Sequence, residues 1–92
     1  MEKFTIFLRN IPQVKGCIDI ITIIGNLQTF IRAKDISITI SKKTIKLQCN
    51  IKEENRQEFI NHIIYWRIKD DGFNELFEGM EYEGSTNQTN QL

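Results

Sequence analysis

The sequence predicts an α+β fold, a two-layer sandwich in which helices cover one face of a small antiparallel or mixed sheet. Three observations predict it. Residues Asp35 to Ile51 alternate apolar and polar side chains in two runs, as two half-buried strands joined by a turn do. A shorter alternating run lies near the N-terminus, and segments with helical spacing of apolar residues lie on both sides of the hairpin. The expected order is β-α-β-β-α plus a short C-terminal helix, in a single domain over residues 1–83 followed by a disordered polar tail over residues 84–92.

The hairpin has the most strongly specified register. If Lys42 and Lys43 form the turn, the apolar side chains of both strands share one face. The facing pairs are then Ile40 with Ile45, Ile38 with Leu47, and Ile36 with Cys49. A shift by one residue would expose one strand's apolar set to water. Lys-Lys lacks the Asn or Gly that a two-residue primed turn favours, so a four-residue loop from Ser41 to Thr44 is the alternative.

The segments before the hairpin predict a strand and a helix. The alternation of Phe4, Ile6 and Leu8 predicts a first strand with Phe7 on its other face, and Pro12 ends it. Residues 13–33 carry an apolar stripe at helical spacing and predict the first helix, which would connect this strand to the hairpin. Residues 18–24 are rich in β-branched side chains, so a buried strand is the alternative there.

Two helices are predicted after the hairpin. Acidic residues at its start and basic residues at its end favour a second helix that ends before Gly72. Its apolar face toward the sheet is expected to be Phe59, Ile60, Ile63, Ile64, Trp66 and Ile68. Apolar residues then recur at spacings of three and four, which predicts a third helix of about two turns. These residues are Phe73, Leu76, Phe77 and Met80.

Net charge is zero, but the charges are segregated along the chain. Residues 1–50 carry eight Lys or Arg against three acidic residues, and residues 51–92 carry four against nine. Such asymmetry bears on partners rather than on fold. No apolar run reaches the length of a membrane span and no signal peptide is visible, so we expect a soluble cytoplasmic protein without a membrane partner.

The sequence offers little catalytic chemistry. The single histidine, His62, lies beside the apolar stripe of the second helix without an evident partner for acid-base work. The two cysteines, Cys17 and Cys49, have no metal-binding spacing, and no phosphate loop is present. We therefore expect no enzyme activity and no catalytic residue, cofactor or metal site. A thiol-dependent enzyme that uses Cys17 is the alternative.

The leading functional hypothesis is a small regulatory module that binds another protein. Its apolar contact would be Phe73, Leu76, Phe77 and Met80, and its acidic side chains Glu75, Glu78 and Glu81 would steer it toward a basic partner. The alternative is that this segment caps the chain's own core. Uncovered strand edges also predict a homodimer. The size and the Ile- and Asn-rich composition are associated with phage- or plasmid-type inhibitors and immunity-like proteins.

The alternative function is binding of single-stranded nucleic acid by the basic first half. The run from Ile6 to Ile11 resembles the first signature strand of RNA-recognition domains, in which an aromatic residue stacks on a base. The resemblance implies that role for Phe7. The second signature of that family is absent, because the third strand carries no aromatic residue on this face. The expected nucleic-acid-binding residues are Phe7, Arg9, Lys42, Lys43 and Lys46.

Overall fold

The computed structural model describes residues 1–11, 20–83 and 89–91. Its strands are β1 (Glu2–Arg9), β2 (Lys34–Ile40), β3 (Thr44–Ile51), β4 (Phe77–Glu83) and β5 (Thr89–Gln91). Its helices are α1 (Ile20–Asn26), which continues as a π-helical turn (Leu27–Ile31), then α2 (Arg56–Lys69), which follows a 3₁₀ turn (Glu53–Asn55), and α3 (Asp71–Leu76). The predicted α+β class is confirmed.

The strands form one antiparallel sheet in the order β2-β3-β1-β4-β5. The first four strands with their helices have the β-α-β-β-α-β order of a split βαβ, or ferredoxin-like, arrangement. In that arrangement β1 lies beside β3, the second arm of the hairpin, as the sequence predicts. Ile6 pairs with Leu47 and Phe4 pairs with Cys49 across these two central strands.

The core lies between the helices and one face of the sheet. Every second residue of β1 from Glu2 to Leu8 is buried on that face, and so are Leu47, Cys49 and Ile51 of β3. The helices add Ile23, Leu27, Ile31, Phe59, Ile63 and Phe73 to the same cluster. Burial of an apolar side chain of this size stabilises a fold by about 1.5–3 kcal/mol, so this face of the sheet determines where the helices pack.

Two of the three predicted facing pairs of the hairpin are observed, Ile38 opposite Leu47 and Ile40 opposite Ile45. The predicted pair of Ile36 with Cys49 is not formed, because β2 has a bulge between Lys34 and Ser37. The Ser41 N–H donates to the Thr44 carbonyl over 2.9 Å, and the Thr44 N–H donates to the Ser41 hydroxyl over 3.1 Å. Among the described non-glycine residues only Arg32 and Asp35 have a positive φ, so Lys42 and Lys43 do not form a primed turn. The Ser41 side chain therefore stabilises a turn that lacks Asn and Gly.

The first predicted helix is confirmed from Ile20 to Ile31, and the alternative of a strand is excluded from Ile20 onward. The helix ends at Arg32, which takes the left-handed conformation with φ 58°. The Ala33 N–H closes this end by donating to the Leu27 carbonyl over 2.9 Å. The predicted start of the helix, residues 13–19, lies outside the described residues, and Cys17 lies there too.

The predicted third helix over Phe73 to Met80 is wrong in its second half. Helix α3 ends at Leu76, and the chain continues as β4 along the free edge of β1. The pairing shifts by one residue between Phe7 and Leu8, which are opposite Gly79 and Phe77. This bulge puts both Phe77 and Met80 on the core side although they are three residues apart. The spacing of three thus arises from a bulged strand and not from a helix.

The predicted sheet-facing stripe of α2 is correct in part. Phe59 and Ile63 are buried, but Ile64 and Ile68 are 47% and 73% exposed and face away from the core. The predicted stripe was wider than the surface that one helix can bury against a small sheet. Of the predicted disordered tail, Thr89–Gln91 pairs with β4, and residues 84–88 and 92 lie outside the described residues.

Candidate functional site

The sheet face opposite the helices is polar and is not covered by another described element. We call it the open face. It is formed by the alternate residues Lys3, Thr5, Phe7 and Arg9 of β1 and Thr44, Lys46, Gln48 and Asn50 of β3, with Ser37 and Thr39 of β2 and Gly79, Glu81 and Glu83 of β4. Its position follows from the period-two alternation of each strand, since the apolar set faces the core.

Phe7 lies on β1 between β3 and β4, toward the hairpin-turn end of the open face, and is half-buried. Its direct neighbours are Lys46 on β3 and Gly79 on β4. A Cβ atom added at Gly79 would meet no atom within 4 Å, so the surface beside Phe7 is open. A glycine within a strand often marks a place where a ligand or another backbone approaches closely. The aromatic ring can therefore be reached from the β4 side.

Four cationic side chains lie at the same end of the sheet as Phe7, and we call them the basic end. They are Arg9, Lys42, Lys43 and Lys46. Two hydrogen bonds fix this arrangement: the Asn10 N–H donates to the Lys43 carbonyl over 3.0 Å, and Asn10 Nδ2 donates to the Ser41 carbonyl over 2.8 Å. They tie the end of β1 to the turn of the hairpin, which holds Lys42 and Lys43 near Arg9.

The basic end is available for an anion. Both ion pairs among the described residues involve Arg56. The four cations of the basic end therefore form no ion pair with another described residue. The acidic side chains of the open face lie on the other side, where Glu81 and Glu83 of β4 are opposite Thr5 and Lys3. The potential of the face therefore changes from positive at the hairpin turn to negative along β4.

The polar groups away from the basic end bind one another. Gln48 Nε2 donates to Thr5 Oγ1 over 3.3 Å, and Asn50 Nδ2 donates to Asp35 Oδ2 over 2.9 Å. These amides are engaged within the sheet. Phe7 and the cations of the basic end make no such side-chain hydrogen bond with one another.

The residues of the predicted protein-binding segment differ in their exposure and do not form one surface. Phe73 and Met80 are buried in the core, and Leu76 and Phe77 are half-buried. Glu75 and Glu78 are exposed, and Glu81 lies on the open face. For Phe73 and Met80 the alternative of a core role is the one observed, because α3 buries Phe73 and the pairing of β4 with β1 carries Met80 inward.

Burial changes the pKa of two titratable side chains, the buried Cys49 and the half-buried His62. Burial raises the pKa of the Cys49 thiol to about 12, which leaves no reactive thiolate at neutral pH. Burial also lowers the pKa of His62, against the raising effect of the nearby Glu58 carboxylate. His62 Nε2 accepts a hydrogen bond of 3.2 Å from Trp66 Nε1, so this nitrogen is occupied.

Metal-binding clusters and membrane-spanning helices are both absent from the described part of the chain. Within residues 1–11, 20–83 and 89–91, no cluster of three or more His, Cys, Asp or Glu side chains could hold a metal ion. In the same ranges, no helix is long and apolar enough to cross a membrane.

No protein-family model matches the chain, and no curated protein and no solved structure matches it either. The class of protein shown is therefore that of its fold, a small α+β sandwich with an antiparallel sheet. A functional proposal depends on the chemistry of its surfaces.

Proposed function

We propose that the protein binds single-stranded nucleic acid on the open face. The observation that supports this best is the position of Phe7 between Lys46 and the open surface at Gly79, at the same end of the sheet as the other cations. This is the alternative function of the sequence analysis. The five residues of that hypothesis come from β1, β3 and the hairpin turn, and their position toward one end of the sheet supports the proposal.

The proposed contacts have distinct roles. A base would stack on the ring of Phe7, an interaction that contributes about 1–3 kcal/mol per base. Arg9, Lys42, Lys43 and Lys46 would contact phosphates, and this part of the affinity decreases as salt displaces the released counterions. The carboxylates of Glu81 and Glu83 would repel the phosphates of the nucleic acid. The nucleic acid would therefore run from Phe7 across β3 and β2 rather than along β4.

We expect binding with little sequence preference. The amides of Gln48 and Asn50, which could read base edges, are engaged with Thr5 and Asp35. One aromatic ring stacks on any base, and phosphate contacts carry no sequence information. The absence of an aromatic residue on the β3 side of the open face limits the stacking platform to Phe7 and predicts modest affinity.

The test is fluorescence anisotropy with a labelled single-stranded oligonucleotide of mixed sequence, titrated over a range of salt concentrations. We expect Arg9→Gln and Lys46→Gln each to weaken binding and to reduce the slope of log K against log salt by about 0.7. Phe7→Leu, which keeps an apolar side chain, should weaken binding without changing that slope. The matched control is Lys69→Gln, which removes an exposed cation at the end of α2. The absence of wild-type binding at low salt, or an equal effect of the control, would contradict the proposal.

A second candidate is binding of a protein partner inside the cell by the outward face of α2. Ile64, Tyr65 and Ile68 of that face are 47%, 51% and 73% exposed. The exposed carboxylates of Asp71 and Glu75 follow on α3, which is joined to α2 by a 3.0 Å hydrogen bond from Arg67 Nε to Asn74 Oδ1. These features favour a partner with apolar and basic side chains.

A pull-down from host lysate separates the two candidates. A protein that is captured by the wild type and by Lys46→Gln, but not by Ile68→Asp, would support the α2 face. Ile68 is mainly exposed, so its replacement should leave the fold intact. Loss of all capture on nuclease treatment would instead favour the nucleic-acid proposal.

A further inference from the structure

Strand β2 forms one end of the described sheet and has an outer edge that no described strand pairs. Hydrogen-bonded and non-hydrogen-bonded positions alternate in an antiparallel ladder. The Ser41 N–H donates to the Thr44 carbonyl, and Thr39 is opposite Lys46, so Thr39 and Ser41 direct their backbone groups toward β3. Ile38 and Ile40 therefore direct theirs to the outer edge, where they are free to pair with another strand.

This edge carries few of the features that block pairing. Natural sheets protect edge strands with Lys, Pro or a bulge. From Ser37 to Ser41 there is no charged residue and no proline, and the bulge of β2 lies before this stretch, between Lys34 and Ser37. Ile40 at the other end is 66% exposed on a strand whose remaining isoleucines are half-buried. Ile40 thus combines an exposed apolar side chain with backbone groups that no described strand pairs.

We propose that the occupant of this edge is a second copy of the chain, paired antiparallel about a two-fold axis at Thr39. In this register Ile38 of each copy lies opposite Ile40 of the other. The outward backbone groups of these two residues are then paired, and the exposed side chain of Ile40 is covered. An axis at Ile38 would place Ile40 opposite Ile36, which lies in the bulge between Lys34 and Ser37, and an axis at Ser37 would place Ile40 opposite Lys34, so the regular part of the strand selects the first register.

A two-fold contact between identical edges is closed, which favours a dimer over a filament. One short strand pair buries less area than the roughly 1,200–2,000 Å² of a standard interface, so we expect a weak dimer.

The inference depends on the edge of β2 and goes beyond the proposed function, which concerns the open face. The test is sedimentation velocity over a range of protein and salt concentrations. We expect Ile40→Lys and Ile40→Pro each to raise the dimer Kd by at least about tenfold. Proline at this position removes an N–H that points away from β3, so the hairpin ladder stays intact. Circular dichroism checks that each variant is folded.

The matched control is Ile68→Lys, which makes the same change at an exposed isoleucine of α2. A wild type that dimerises together with monomeric Ile40 variants and a dimeric Ile68→Lys supports the proposal. A wild type that stays monomeric at the highest concentrations overturns it. So does an Ile68→Lys variant that alone loses association, or a series of species that grows beyond the dimer. None of these results affects the oligonucleotide measurement, so the two proposals can fail separately.

Discussion

Arg56 and Glu2 form a bidentate ion pair at the rim of the core. Arg56 Nε donates to Glu2 Oε1 over 2.7 Å, and Arg56 Nη2 donates to Oε2 over 2.5 Å. Glu2 is 1% exposed, and the guanidinium also lies 5.1 Å from the centre of the Tyr82 ring. The hydrogen bond with Glu2 is the main reason that the pKa of Arg56 is raised. The pair joins the first residues of β1 to the start of α2.

We predict that Glu2→Gln lowers the stability of the protein. The amide keeps the volume of the carboxylate but loses its charge, which leaves the guanidinium of Arg56 without its buried partner. Urea unfolding followed by circular dichroism should show a lower midpoint. The control is Glu83→Gln, an exposed carboxylate at the end of β4 that should leave the midpoint unchanged. Equal midpoints for the wild type and both variants would show that the pair does not stabilise the fold.

Stability should also decrease below about pH 6.5, the usual pKa of histidine, because of His62. The pKa of His62 is lowered in the folded chain, mainly by burial, so the unfolded chain binds the proton more readily. Protonation at Nε2 also breaks the hydrogen bond from Trp66. Stability is therefore lost as pH falls from the unfolded pKa through the folded one. Unfolding midpoints against pH, compared between wild type and His62→Gln, test this, since the variant should lack the decrease assigned to this group.

Gly79→Val should stabilise the fold and weaken nucleic-acid binding. A Cβ at this position meets no atom within 4 Å, and removing a glycine from a strand contributes about 0.5–1 kcal/mol. The added methyl groups would cover the open surface beside Phe7. The matched control is Gly25→Ala in α1, which also has free space and should stabilise by about 1 kcal/mol. Thermal unfolding and oligonucleotide anisotropy measure both effects, and a Gly79→Val variant that binds like wild type would exclude a ligand beside Phe7.

Phe73→Ala should destabilise the protein by about 3–5 kcal/mol, because it removes a fully buried ring and leaves a cavity. Glu75→Ala, two residues away and exposed, should change stability by less than about 0.5 kcal/mol. Denaturant unfolding of both variants distinguishes a core role for Phe73 from the partner contact that the sequence suggested. A small effect of Phe73→Ala on stability would contradict the core role and favour the partner contact.

Cys49 should resist alkylation at neutral pH in the folded protein. Its pKa is raised to about 12 by burial, so almost no thiolate is present. Mass spectrometry after a timed iodoacetamide reaction, with and without urea, measures this directly. Rapid modification of Cys49 in the absence of urea would mean that the core opens readily around it.

The sequence by itself determined the elements whose pattern is local. The alternation from Ile36 to Ile51 specified the hairpin and its register, because a one-residue shift would expose an entire apolar face. The alternation of Phe4, Ile6 and Leu8 likewise specified β1 and the face that it buries. The same reasoning placed Phe7, Arg9 and Lys46 on the polar side of their strands and Lys42 and Lys43 in the turn.

Only the tertiary structure decided the rest. Phe77 to Glu83 forms a strand because β1 offers a free edge, and the bulge opposite Phe7 gives that strand a spacing that is locally indistinguishable from a helix. The pairing of Glu2 with Arg56 and the meeting of Phe7, Lys46 and Gly79 join residues that are far apart in the chain. The physical reason is the same in each case. Periodicity of apolar residues indicates which side of a helix or strand is buried, but the element that covers this side is determined by pairing and packing between residues far apart in the sequence.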